Sequence, residues 1–139
     1  MGAVLVDANV LLDVMTGDPR WGAWSAAALE RAADQHRLVI NLVIYAEVSI
    51  RFSRIEDLEA ALQPGAFHRE AIPYEAAFLA GKSYLDYRRR GGKRHSPLPD
   101  FFIGAHAAVA HYLLLTRDAA RYRTYFPTLT LLTPDRRRG

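Results

Sequence analysis

The sequence has no cysteine. Disulfides and thiolate metal sites are therefore excluded, as suits a reducing compartment. Histidine is scarce as well: 5 residues, with no metal-ligand spacing. His106 and His111 read as ordinary helix residues. No apolar run is long enough to span a bilayer, and the most apolar segment, residues 105–115, contains both of these histidines. The first apolar run has no basic residue before it and is broken by Asp7, which makes a poor secretory leader. No repeat and no interdomain linker is visible. The expectation is a soluble, cytoplasmic protein. What is present is a chain of 139 residues, 50% hydrophobic, enough for one real core. Its net charge of +3 is modest and fits a polyanionic partner better than a cationic one.

Buried-strand patterns alternate with helical ones. "GAVLV" (residues 2–6) is small, β-branched and apolar without alternation, the pattern of a fully buried strand. A helix is expected from Asp7 to Met15, closed by Thr16-Gly17. Asp18-Pro19 reads as an N-cap and N1 proline, opening a helix to about Gln35. "RLVIN" (37–41) is a second buried strand, followed by helices at "LVIYAEVSIRF" (42–52) and "IEDLEAAL" (55–62). "FHREAI" (67–72) reads as a strand, and Pro73 opens a long amphipathic helix through Tyr87. After a basic, glycine- and proline-containing loop come a helix from Asp100, the strand "YLLLT" (112–116), a short helix from Asp118 and the strand "LTLLT" (129–133). Such alternation implies βαβ units: an α/β fold with a central parallel sheet covered on both faces. One domain is expected over residues 1–134, with a basic tail at 135–139.

Ligand sites in such sheets lie beyond the carboxyl ends of the strands. Asp7 directly follows the first strand. Asp118 follows "YLLLT" after one arginine. Glu47 lies among the apolar positions Val43, Ile44 and Ile50 of its helix. Asp100 opens its helix after two prolines, with Gly104 one turn on to remove bulk beside it. Each acid alone has an ordinary explanation: N-caps for Asp7 and Asp118, an i,i+4 pair with Arg51 for Glu47, the helix dipole for Asp100. Together they pose a problem. Two carboxylates ~4 Å apart repel by roughly 4 kcal/mol at an effective dielectric near 20. Either some stay protonated or a cation joins them. An all-oxygen site suits Mg²⁺ or Mn²⁺, and such ions at phosphate oxygens suit phosphodiester hydrolysis. Asn9 and Thr116 are candidates for orienting the carboxylates. Asp13, further along the first helix, reads as a surface acid.

The segments "LVDANVLLDV", "NLVIYAEV", "LPDFFIGAHA" and "LLTRDAARYRTYFP" resemble, in order, those of the PIN domain, specifically the VapC-type toxin ribonucleases of bacterial toxin–antitoxin pairs. The resemblance runs from near the start of the chain to about Pro127. It implies a three-layer α/β/α fold and Mg²⁺- or Mn²⁺-dependent endoribonuclease activity that inhibits translation. The family's catalytic, metal-holding acids fall on Asp7, Glu47, Asp100 and Asp118, and its supporting polar positions on Asn9 and Thr116. It further implies a homodimer, a higher-order toxin–antitoxin complex, and inhibition by a cognate antitoxin that places a basic side chain in the acidic pocket.

"YRRRGGKRH" (87–95) supplies candidate RNA-backbone contacts, Lys93 and Arg94 among them. Arg117, Arg121 and Arg123 beside Asp118 invite the same reading; a solvated helix end is the ordinary one. Trp21 and Trp24 share a helix face, read as core packing or as an antitoxin groove. Tyr74, Tyr84 and Tyr87 read as amphipathic packing rather than base stacking. Two rival functions remain at this stage. A haloacid-dehalogenase-like phosphohydrolase also begins with a strand ending in Asp, but needs a second acid where this chain has Asn9. A PIN-like protein acting mainly at DNA with its antitoxin is the other.

Overall fold

A computed structural model describes residues 2–91 and 98–134. Lys93, Arg94 and the tail at 135–139 lie outside the described residues. The elements are β1 (Ala3–Val6), α1 (Ala8–Thr16), α2 (Gly22–Gln35), β2 (Arg37–Ile40), α3 (Leu42–Ser49), α4 (Ile55–Ala61), β3 (His68–Arg69), α5 (Tyr74–Arg89), α6 (Leu98–Ala110), β4 (Leu113–Leu115), α7 (Ala119–Arg123) and β5 (Leu131–Leu132). The strands form one sheet in the order β3-β2-β1-β4-β5, parallel at every pairing. Every residue of β1 is buried, as its unalternating apolar sequence requires of a central strand covered on both faces. Helices flank the sheet; α1 packs on α2 and α3, and α5 pairs with α6. Among the described residues no helix is long and apolar enough to cross a membrane.

The chain winds outward from β1 through β2 to β3, then crosses back to place β4 on the other side of β1. This reversal creates a switch point at the carboxyl ends of β1 and β4, where an α/β sheet opens a crevice. Residues 7 and 116 stand there as neighbours, because Val6 is in register with Leu115.

Several element boundaries differ from the sequence reading. The second helix starts at Gly22 rather than Asp18-Pro19. Asp18 instead accepts from the backbone N–H of Arg20 and Trp21 at 3.0 and 2.7 Å, so it closes a turn that precedes the helix. α6 begins two residues before Asp100, and α3 stops at Ser49, short of Phe52. The tryptophans divide: Trp24 packs against the core, while Trp21 lies under the guanidinium groups of Arg20 and Arg117 at 5.3 and 5.6 Å. Tyr84 and Tyr87 pack on Phe101 with ring centroids 5.5 Å away, but Tyr74 is 91% exposed.

Gly104 serves a different neighbour from the one the sequence suggests. A methyl at this position would stand 2.5 Å from two ring carbons of Phe126, itself buried. The glycine makes room for that ring. Gly104→Ala is expected to destabilise the protein by about 1–2 kcal/mol, since overpacking outweighs the gain in helix propensity. Urea denaturation checks this, and a more stable variant would contradict it.

Candidate active site

Asp7 is built into the switch point from both sides. Its backbone N–H donates to the Leu115 carbonyl at 2.9 Å, joining the end of β1 to β4. The Asp7 Oδ1 accepts from the Ala8 N–H at 2.8 Å, at the start of α1. Its Oδ2 accepts from the Thr116 hydroxyl at 2.8 Å, the Tyr122 hydroxyl at 2.9 Å and, at a longer 3.5 Å, Asn9 Nδ2. A carboxylate this buried, only 4% exposed, would be costly without such donors. Burial pushes its pKa up, and the bonds from Thr116, Tyr122 and Ala8 oppose that push.

Thr116 is fully buried and ties the supporting groups together. Its hydroxyl gives its one proton to Asp7 and accepts from Asn9 Nδ2 at 3.3 Å and the Asp118 N–H at 3.1 Å. Asn9 Oδ1 in turn accepts from the Arg117 N–H at 3.4 Å. Tyr122, 1% exposed, was invisible as a site residue in the sequence: its contact with Asp7 spans 115 positions.

The other acids are linked to Asp7 by charge: Glu47 and Asp100 each feel it, and Asp100 also feels Asp118. α3 carries Glu47 and is started by Asn41, whose Oδ1 accepts from the Ile44 N–H at 3.0 Å and whose Nδ2 lies 2.9 Å from His106 Nδ1. His106 is thus a buried core residue with partners rather than an ordinary helix position. Half-buried Glu47 has its pKa raised to about 7, by burial first and then by the charges of Asp7 and Asp100. Asp100, buried at the start of α6, is raised to about 6 by burial, with Arg121 working against the shift and Asp7 and Asp118 adding to it. Asp118 precedes α7 without capping it through its side chain. Its carboxylate meets Arg121 Nε at 3.1 Å, while Arg121 Nη1 donates to Asp100 Oδ2 at 3.1 Å. One guanidinium therefore spans two of the four acids.

Among the described residues, no three His, Asp or Glu side chains stand close enough together to hold one metal ion. The acids interact electrostatically, but Arg121 lies between two of them. The donor chemistry still fits a hard divalent cation: carboxylate oxygens only, with the pKa values of Asp7, Glu47 and Asp100 raised first by burial and those of Glu47 and Asp100 also by neighbouring acids.

A carboxylate with a raised folded-state pKa binds its proton more tightly in the folded than in the unfolded chain. Between the two pKa values, stability falls as pH rises. For Glu47 that window runs from the ordinary 4.5 to about 7. Glu47→Gln is expected to stabilise the metal-free protein by about 1–2 kcal/mol above neutral pH, after discounting for partial solvation. The gain should vanish below about pH 4, where both states hold the proton. Thermal melts in chelator across pH check this; a gain at acid pH instead would contradict it.

Two residues change meaning. Asp13 is not a surface acid: it is 3% exposed and accepts from Ser25 Oγ at 2.7 Å and from Arg117 Nε and Nη2 at 2.7 and 3.1 Å. Arg117, a candidate RNA contact, pairs with Asp13 and also lines a groove beside Asp118. This groove of about 1150 Å³, lined by Trp24, Arg31, His36, Arg117 and Arg123, meets the acids only at Asp118.

A parallel sheet with a buried, hydrogen-bonded aspartate at its switch point and two further acids within reach of its charge defines an α/β domain with a candidate site at the carboxyl ends of β1 and β4. The PIN domain family matches residues 4–127, and the chain belongs to that family. PIN domains are nucleases acting on phosphodiester bonds. No curated protein matches the sequence. Among solved structures, VapBC2 from Rickettsia felis bound to a promoter DNA fragment is similar at 17% identity and a TM-score of 0.73, covering 96% of this chain and 99% of that one. VapBC-1 from nontypeable Haemophilus influenzae is similar at 17% identity and a TM-score of 0.71, covering 94% and 97%. A toxin–antitoxin complex from Klebsiella pneumoniae shares 22% identity at a TM-score of 0.68, covering 95% and 98%. At these identities the likeness is one of fold.

Proposed function

We propose that this chain is a divalent-cation-dependent endoribonuclease and the toxin of a toxin–antitoxin pair, arresting translation by cutting RNA. The observation that carries the nuclease reading is the buried Asp7 carboxylate, held by several donors at the switch point and near enough to raise the pKa values of Glu47 and Asp100. The toxin role draws on the neighbours, which are toxin–antitoxin complexes over nearly their whole length. Asp7, Glu47, Asp100 and Asp118 would hold Mg²⁺ or Mn²⁺. The ion would supply charge neutralisation at the phosphate and an acidified water.

The chain's own residues do the rest. Thr116, Tyr122 and Asn9 fix the plane of the Asp7 carboxylate, so that side chain needs little reorganisation to act. Glu47, with a pKa of about 7, can take up or release a proton near neutral pH in the metal-free site. Arg31 and Arg123 give the groove beside Asp118 a positive lining that suits an RNA backbone. The phosphohydrolase reading needs a second acid two residues after Asp7 to protonate the leaving group, and the chain has Asn9 there, tied to Thr116 and Asp7. Action at DNA through an antitoxin is compatible with nuclease activity, since the Rickettsia felis neighbour was solved on promoter DNA. A homodimer would cover Leu42, Ile50 and Phe78, all largely exposed.

The test is cleavage of end-labelled single-stranded RNA by the purified, antitoxin-free chain. Cleavage should require Mg²⁺ or Mn²⁺, stop in EDTA and return when the ion is restored in excess. Cleavage that continues in EDTA would sink the proposal.

A further inference from the structure

We propose that Arg121 is the resident cation of the acidic site: it clamps Asp100 and Asp118 while no divalent ion is bound, and releases both when one enters. This rests on the metal-site reading above.

One planar group is held at two of its edges. Arg121 Nη1 reaches Asp100 Oδ2 and Nε reaches Asp118 Oδ2, each at 3.1 Å. The first acid comes from α6 and the second from the turn before α7, so the guanidinium joins elements that would otherwise repel. The neighbouring arginines do something else. Arg117 is bound to Asp13, and Arg123 lines the groove. Arg121 alone of the three meets two of the four acids.

Clamp and ion compete. The guanidinium takes one oxygen of each carboxylate, and an ion bound to the same two acids at ~2.1 Å would stand within a few ångströms of it, where two positive charges repel. Arg121 is also able to leave. Its side chain is 41% exposed, and it sits on a helix of 5 residues. A rotamer change toward solvent needs no movement of the sheet, and Tyr122 on the same helix can keep its bond to Asp7. The arrangement offsets the repulsion between Asp100 and Asp118: the fold brings its own counter-ion.

Competition has a signed consequence. Removing the clamp should tighten metal binding, because no ion pair must break first. Manganese titration calorimetry on the whole chain tests this with Arg121→Gln, and with Arg123→Gln as a control that loses the same charge nearby. Arg121→Gln should bind Mn²⁺ about tenfold more tightly than the parent, and Arg123→Gln within about twofold of it. Unchanged or weaker binding in Arg121→Gln, or equal tightening in both variants, overturns the proposal. No Mn²⁺ binding by the parent or by Arg121→Gln overturns the metal-site reading and the exchange with it, a result distinct from the others. If Arg121→Gln does not fold, the Arg121 Nε–H resonance of the parent is followed during Mg²⁺ addition. It should move as the ion binds, and a resonance that stays in place while Mg²⁺ binds contradicts the exchange.

Discussion

Replacing Asp7 by asparagine is expected to lower RNA cleavage by about three orders of magnitude while the protein stays folded. The size follows from the several kcal/mol of charge stabilisation a bound ion contributes, at roughly 1.4 kcal/mol per tenfold in rate. The survival of the fold follows from the hydrogen bonds. The asparagine oxygen can still accept from the Ala8 N–H. Its amide would face the Tyr122 hydroxyl, which can turn to accept instead of donate, while the Thr116 hydroxyl, already accepting from Asn9 and the Asp118 N–H, would give up its bond to residue 7. A buried carboxylate whose pKa is raised by desolvation is also replaced by a neutral group, which favours the folded state. Asp100→Asn should behave alike. Single-turnover cleavage, read beside a thermal melt, checks both, and cleavage within about tenfold of the parent would contradict the role given to Asp7.

Asp13→Ala should be the most destabilising substitution outside the apolar core, at about 3 kcal/mol. It strips three bonds from one buried carboxylate. Ser25, fully buried, loses the acceptor for its hydroxyl, and Arg117 loses its ion-pair partner and keeps only the Trp21 ring and the more distant charges of Asp18 and Asp118. Breaking a buried pair on one side typically costs ~3–5 kcal/mol; the 31% exposure of the Arg117 side chain lowers the expectation toward the bottom of that range. Arg117 also holds its backbone N–H against Asn9, so loss of the anchor should loosen the support of Asp7. Asp13→Asn should lose less, because the amide oxygen still accepts from one partner. Chemical denaturation gives the comparison; a loss under about 1 kcal/mol for Asp13→Ala would mean that the network is not stabilising.

The contrast between Asp7 and Asp13 shows what a single sequence can reveal. Asp7 is legible because it interrupts an apolar strand at the one place where parallel sheets expose their ends. The same logic reaches Asp118, and the apolar stripe around Glu47 marks that acid. Asp13 stands on the helix that Asp7 caps, yet no local pattern separates a buried acid from a solvated one. Its partner Arg117 is 104 positions away, brought near only when β4 docks beside β1. The three arginines after Thr116 look interchangeable in the sequence. In the fold one anchors Asp13, one clamps two acids and one lines a groove. Gly104 was recognisable as a place needing small size, but its reason, the Phe126 ring, comes from a segment folded back from beyond β4. Local chemistry thus indicates which residues end elements; long-range pairing decides which of them share a charge.

The most direct measurement is anomalous scattering from a crystal of this chain soaked in Mn²⁺. A single strong peak, or a close pair, should appear within about 2.2 Å of carboxylate oxygens of Asp7 and Asp100, with the Arg121 guanidinium displaced. A crevice without a peak at saturating Mn²⁺, or manganese bound only elsewhere on the chain, would contradict the claim that these four acids form a cation-dependent nuclease site.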